Sequence, residues 1–96
     1  MLHGYGVVAI PPGETVKELL DDRKLSLKDF SSKMGMSESA ITKLLDGEIF
    51  LTPEIASRLE RVLGPGAYFW SGLETLYRDK LNIILTENKL YTSETV

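Results

Sequence analysis

Apolar residues recur with a helical period in five stretches of this chain, each bounded by a residue that starts or stops a helix. After Pro11-Pro12-Gly13, the residues Val16, Leu19 and Leu20 fall at i, i+3 and i+4. This predicts a first helix from about Glu14 to Arg23 with Gly13 as its N-cap. Ser26-Leu27-Lys28-Asp29 has the form of a capping box, so a second helix follows with Leu27, Phe30 and Met34 inward, ending at Gly35. Ser37 is the next N-cap. At about 100° per residue, Ala40, Ile41, Leu44 and Leu45 share one face of the third helix, and Ser39, Thr42, Lys43 and Asp46 share the other. Gly47 closes that helix. Thr52-Pro53 opens a fourth, with Ile55, Ala56, Leu59, Val62 and Leu63 inward, and Gly64-Pro65-Gly66 ends it. A fifth runs from about Tyr68 to Leu85. Its apolar residues, among them Phe69, Trp70, Leu73, Leu76, Tyr77, Leu81, Ile83 and Ile84, cover an arc of roughly 160°, wider than the ~100° of a helix that packs on one side.

The ends of the chain are different. Residues 1–10, with two glycines and the run Val7-Val8-Ala9-Ile10, read as an extended arm or short strand, and residues 86–96 read as a frayed polar tail. Residues 11–85 are then one all-α domain. Its second and third helices are joined by about four residues around a glycine, which is a helix-turn-helix. Ser31 lets those two helices approach, Gly35 makes the turn and Ile41 plugs the angle between them, while Phe30, Met34, Met36 and Leu44 fill the other inward positions.

Composition narrows the chemistry. The 96 residues include 43% apolar and 26% charged side chains, enough apolar surface for a folded core and too few residues for two. No cysteine is present, which excludes disulfides and thiolate metal sites. The single histidine, His3, lies in the arm, and there is neither a zinc-binding His pair nor a glycine-rich phosphate loop. Neither metal nor cofactor is expected, and no serine has a base beside it, so an enzyme is not expected either. With no apolar run near the ~20 residues that span a bilayer, the chain reads as cytoplasmic, without a membrane partner.

Several stretches together resemble a known family. Pro12-Gly13-Glu14, Leu25-Ser26-Leu27, Met34-Gly35-Met36-Ser37, Leu44-Leu45-Asp46-Gly47, Leu51-Thr52-Pro53-Glu54-Ile55-Ala56, Arg58-Leu59, Leu63-Gly64, and Phe69-Trp70 followed by Leu73-Glu74 and Tyr77 are similar to the HigA-type (plasmid-maintenance antidote) branch of the Xre helix-turn-helix family. The resemblance spans residues 11 to 81. It implies a compact five-helix, lambda-repressor-like DNA-binding domain, and a dimeric repressor of its own operon acting on double-stranded operator DNA, often with a cognate toxin.

A groove-entering third helix would bring Glu38, Ser39, Thr42 and Lys43 to base edges. Lysine can donate to guanine, glutamate can accept from the cytosine amino group, and the hydroxyls serve either base. Ser26 and Ser37, each at a helix start, and Lys28 and Lys33 are the candidate phosphate contacts. Two residues depart from the family pattern: Leu27 stands where relatives commonly have Gln, and Asp46 where they commonly have Asn. The net charge of -3, and the balance of four lysines against four acids between Lys24 and Glu48, point to modest DNA affinity.

Trp70, Leu73 and Tyr77 read first as core residues, and because the apolar arc is wider than one packing side needs, Trp70, Leu73, Tyr77, Leu81 and Ile84 are also candidates for a homodimer seam. Strand pairing through Val7 to Ile10 is the alternative. Two rival readings share the same sequence: a protein-interaction module with weak or lost DNA binding, and the N-terminal regulatory part of a longer zinc-peptidase-like regulator. The Glu74/Arg78 pair, at i and i+4, reads as an ordinary surface pair.

Overall fold

A computed structural model describes residues 9–95, with side chains through residue 86. His3, Val7 and the rest of the arm up to residue 8 therefore lie outside the described residues, as does Val96. Five helices follow one another: α1 (Pro12–Arg23), α2 (Leu27–Met34), α3 (Glu38–Leu45), α4 (Pro53–Leu63) and α5 (Ala67–Thr95). Among the described residues no strand is found.

The predicted stops act where the sequence puts them. Ser26, Ser37 and Thr52 are extended N-caps whose hydroxyl oxygens accept from the amides of Asp29, Ala40 and Ile55 at 3.1, 3.1 and 3.2 Å. Each satisfies one of the donors that a helix start leaves free. Gly35 takes a left-handed conformation (φ 69°), and the amide of Met36 reaches back to the Ser31 carbonyl, turning the chain between α2 and α3.

Helix one departs from expectation. It begins at Pro12, with Pro11 rather than Gly13 in the N-cap position and no side-chain cap. Two successive prolines already hold φ near its helical value, so the helix starts two residues earlier than the glycine would have it. Gly13 instead lies inside the helix, where a Cβ would collide with the backbone carbonyl of Leu45. Its missing side chain is what lets α1 cross the end of α3 in contact.

Helix five also departs. The segment expected to end near Leu85 continues as helix to Thr95, so residues 86–95 do not form a separate tail. No glycine or proline follows Gly72 to stop it.

The core collects Val16 and Leu20 from α1, Phe30 and Met34 from α2, Ile41, Leu44 and Leu45 from α3, Ala56, Leu59 and Leu63 from α4, and Trp70 from α5, with Leu51 from the loop between α3 and α4. Leu19, Leu27, Ile55, Val62 and Leu73 pack against it, half-buried. Ser31 is buried with its hydroxyl donating to the Lys28 carbonyl at 2.9 Å, so this polar residue brings no unpaired group into the α2–α3 contact.

Candidate nucleic-acid interface

Helix three has two unlike sides. Ile41 is fully buried and Leu44 and Leu45 nearly so, whereas Glu38, Ser39, Thr42 and Lys43 are all exposed on the opposite side. The 3.6-residue period alone produces this division. Thr42 spends its hydroxyl proton on the Glu38 carbonyl at 2.9 Å, which leaves its oxygen outward as an acceptor. Lys43, Lys28 and Lys33 are exposed and make no ion pair with the described residues, so their charges are free for a ligand. Ser26 and Ser37 use their oxygens as caps and keep a hydroxyl proton to donate.

The expected capping box at Ser26 is half formed. Ser26 accepts from the Asp29 amide, while the Asp29 carboxylate is in no hydrogen bond or ion pair with the described residues. The two departures from the family pattern have different fates. Leu27 turns partly inward and packs against the core. Asp46 stays exposed, just beyond α3, with the Lys17 ammonium 4.0 Å away.

Two anchors of the helix-turn-helix, Arg58 on α4 and the Glu74–Arg78 pair on α5, have no local signal in the sequence. Arg58 on α4 donates through Nη1 to the carbonyl of Met34 at 2.8 Å and through Nη2 to Glu54 at 2.8 Å, so α4 caps the end of α2 immediately before the turn. Glu74 is buried rather than a surface partner. Its carboxylate accepts from the Leu51 amide at 3.2 Å and from Arg78 Nε at 2.8 Å, and Arg78 Nη2 donates to the carbonyls of Gly47 and Ile49 at 3.2 and 3.1 Å. The loop leaving α3 has polar backbone groups that no helix or sheet satisfies, and this need is the one trace of the arrangement in the sequence.

The candidate seam residues divide. Trp70 is fully buried in the monomer, with its indole N–H donating to the Pro65 carbonyl at 3.0 Å, and so offers no surface to a partner. It is a core residue and leaves the candidate seam. Leu73, Tyr77, Leu81 and Ile84 are half-buried. Among the described residues, the large apolar side chains that α5 exposes are Tyr68, Phe69, Leu76, Ile83 and Leu85. Leu73, Leu76, Tyr77 and Lys80 form one wall of an apolar groove, and Ile10, Pro11, Pro12 and Thr15 form the other. Of the alternative strand seam, only Ala9 and Ile10 are described, and neither is in a strand.

No helix among the described residues is long and apolar enough to cross a membrane. The helix-turn-helix family description matches residues 16–68, more than half of the chain. The uncharacterized HTH-type transcriptional regulator YddM of Escherichia coli K12 is 35% identical over 66 residues, 69% of this chain and 70% of that protein. A candidate antidote protein of a plasmid maintenance system from Nostoc punctiforme superposes with a TM-score of 0.78 at 28% identity, over 94% of this chain and 98% of the other. An addiction module antidote protein of the HigA family from Coxiella burnetii gives 0.74 at 26%, over 88% and 92%. The Pseudomonas aeruginosa antitoxin HigA, in a structure with the higBA promoter, gives 0.77 at 20% over 86% and 91%, a likeness of fold alone. With an exposed polar strip on the second helix of its helix-turn-helix, and with these relatives, the chain belongs to the helix-turn-helix family as a transcriptional regulator of the Xre type whose structural neighbours are HigA-type antitoxins.

Proposed function

We propose that this chain is an antitoxin-type autorepressor that binds an operator upstream of its own gene and pairs with a cognate toxin protein. The observation that carries the reading is the strip Glu38, Ser39, Thr42 and Lys43, four exposed polar residues on a helix whose other side is sealed in the core. A helix held this way can enter a major groove without disturbing the fold, and its side chains can pair with base edges. Lys28, Lys33 and the hydroxyls of Ser26 and Ser37 then hold the flanking phosphates. The HigA-type neighbours support the toxin partner.

The four lysines and four acids from Lys24 to Glu48 leave this region without net charge. Little non-specific affinity comes from counterion release, and the base contacts must supply more of the binding. The double substitution Lys43→Ala with Thr42→Ala should abolish specific binding to the upstream region in a fluorescence anisotropy titration, with an unchanged circular dichroism spectrum. Unchanged specific affinity would overturn the assignment of α3 and favour a protein-interaction module.

The repressor works as a homodimer, since one helix-turn-helix covers only a few base pairs and a two-fold pair sets two half-sites about one helical turn apart. Phe69, Leu76 and Ile83 stand seven residues apart, 45%, 57% and 47% exposed, and form a stripe along α5 flanked by Leu73, Tyr77 and Ile84, with Leu81 farther round the helix. A seven-residue apolar spacing is what two packed helices share. Sedimentation velocity at micromolar concentration should show a dimer for the wild type and a monomer for Leu76→Glu with Ile83→Glu. A monomeric wild type refutes the pairing.

A further inference from the structure

Helix three packs on α1 and α2, and the loop that leaves it ties it to α5. That tie consists of two side chains one turn apart. Glu74 is the one buried ionisable side chain among the described residues, and it is bound at once to the Leu51 amide and to Arg78. Arg78 reaches the Gly47 and Ile49 carbonyls with the same guanidinium that pairs with Glu74. Its plane also lies against two rings, 4.4 Å from the centroid of Phe50 and 4.8 Å from that of Tyr77. Gly47 has φ 79°, and a Cβ there would come within 2.6 Å of the Tyr77 hydroxyl, so backbone and ring are already in contact.

The Glu74 and Arg78 side chains are 12% and 27% exposed, and a partly buried ion pair of this kind is a poor choice for stability alone, because the desolvation it suffers offsets much of its attraction and apolar side chains could also hold the loop to α5. Direction is what apolar contacts cannot supply. Three backbone groups of the loop meet α5 in one geometry: the planar guanidinium holds the Gly47 and Ile49 carbonyls, and the carboxylate it pairs with holds the Leu51 amide. The first of these groups, the Gly47 carbonyl, is two residues past the end of α3.

We propose that Glu74 and Arg78 are positioning residues for DNA recognition, which set the angle of helix three by clamping the backbone of its exit loop. The inference rests on the DNA-binding reading above. It assigns a role in operator specificity to two residues on a helix outside the helix-turn-helix.

The test uses Arg78→Lys, which keeps the charge but not the planar fork, and Glu74→Gln, which keeps the shape and an acceptor for the Leu51 amide. Each is titrated against a duplex of the upstream region and against a scrambled duplex of equal length, at a temperature where circular dichroism shows full helicity. A tilted recognition helix loses base contacts, while the phosphate contacts of Lys28 and Lys33 remain. Specific affinity should therefore fall at least tenfold in both variants, with affinity for the scrambled duplex within twofold of the wild type. Amide resonances of residues 42–51, and of Gly13 and Lys17 where α1 meets the end of α3, should shift in both variants without DNA, and those of α2 before residue 30 should not. A ratio of specific to scrambled affinity that stays within twofold of the wild type, or equal losses on both duplexes, overturns the positioning role. A wild type that does not distinguish the two duplexes overturns the DNA-binding reading itself and this role with it.

Discussion

The helix-turn-helix and α5 are held in place by different means. Between Ser26 and Leu45 the helices are eight residues long, and each start is capped by a hydroxyl three residues from the amide it serves. Helix five spans 29 residues, and besides short-range bonds to Glu60 and Pro65 it is tied to the loop after α3 by bonds between residues 23, 29 and 31 positions apart. Short elements of this size are marginal by themselves, so local caps decide where they begin while the core decides whether they persist. The helix-turn-helix is thus locally specified and remotely supported. Apart from the capping serines, the exposed residues of α3 make no hydrogen bond or ion pair with another helix among the described residues, so their side chains are free to vary without cost to the core.

Removing the remote support should have the largest effect. Trp70 is fully buried, lies edge-on to Phe69 with ring centroids 5.1 Å apart, and bonds to the Pro65 carbonyl. Trp70→Ala should cost about 3–5 kcal/mol, a large part of the ~5–15 kcal/mol that holds a domain of this size. Thermal unfolding followed at 222 nm should show the midpoint lowered by roughly 15 °C or more, with all helices lost together. A loss below about 1 kcal/mol, or a two-step melt, would mean that α5 is a separate unit and the contrast between the regions is one of mere attachment.

This contrast also explains what could be read from the sequence. Ser26, Gly35, Ser37, Thr52 and Pro53 announce their structure because each acts on its near neighbours, and the polar strip on α3 follows from the period of the helix. The face predicted to be inward is inward. The Glu74–Arg78 pair gave no such signal, since i, i+4 spacing describes a solvated pair and a buried clamp equally well, and only the folded position of Leu51, 23 residues away, distinguishes them. Gly13 was legible as a glycine needed near a helix start but not as a crossing point, because Leu45 is distant in sequence. Trp70 is the core residue its first reading makes it, but an arc of apolar residues shows that a helix has two partners without showing which residues face which, so the arc alone does not exclude it from the seam. The end of α5 was misjudged from its polar composition, which lowers packing without stopping a helix.

A local break should be smaller and confined. Ser37→Ala removes the oxygen that accepts the Ala40 amide at the start of α3, at a cost of about 1 kcal/mol and a midpoint lower by roughly 4–8 °C. Hydrogen exchange should quicken at Ser39 and Ala40 well before it does in α4. A loss above about 2 kcal/mol would show that the recognition helix depends on its cap as heavily as the core depends on Trp70, and the distinction between the regions would fail.

The smallest effect on stability belongs to Asp46, at the exit of α3, where the two regions meet. Its carboxylate and the Lys17 ammonium are 4.0 Å apart with both side chains 46% exposed, a surface pair worth a few tenths of a kcal/mol or nothing. It also stands at the negative end of the α3 dipole, where a carboxylate is mildly unfavourable, so the two contributions offset one another and Asp46→Asn should leave the melting midpoint nearly unchanged. On DNA the same change should matter more. If the exit of α3 faces the duplex backbone, removing a negative charge and supplying an amide donor gains one phosphate contact of about 1 kcal/mol, which tightens binding by up to roughly tenfold. The gain should be greatest at low salt and should shrink as added salt shortens the Debye length toward the distance between carboxylate and phosphate. Anisotropy titrations at two ionic strengths decide it. No gain at low salt would place Asp46 away from the backbone, and the loop clamped by Glu74 and Arg78 would then hold α3 from the side opposite the duplex rather than beside it.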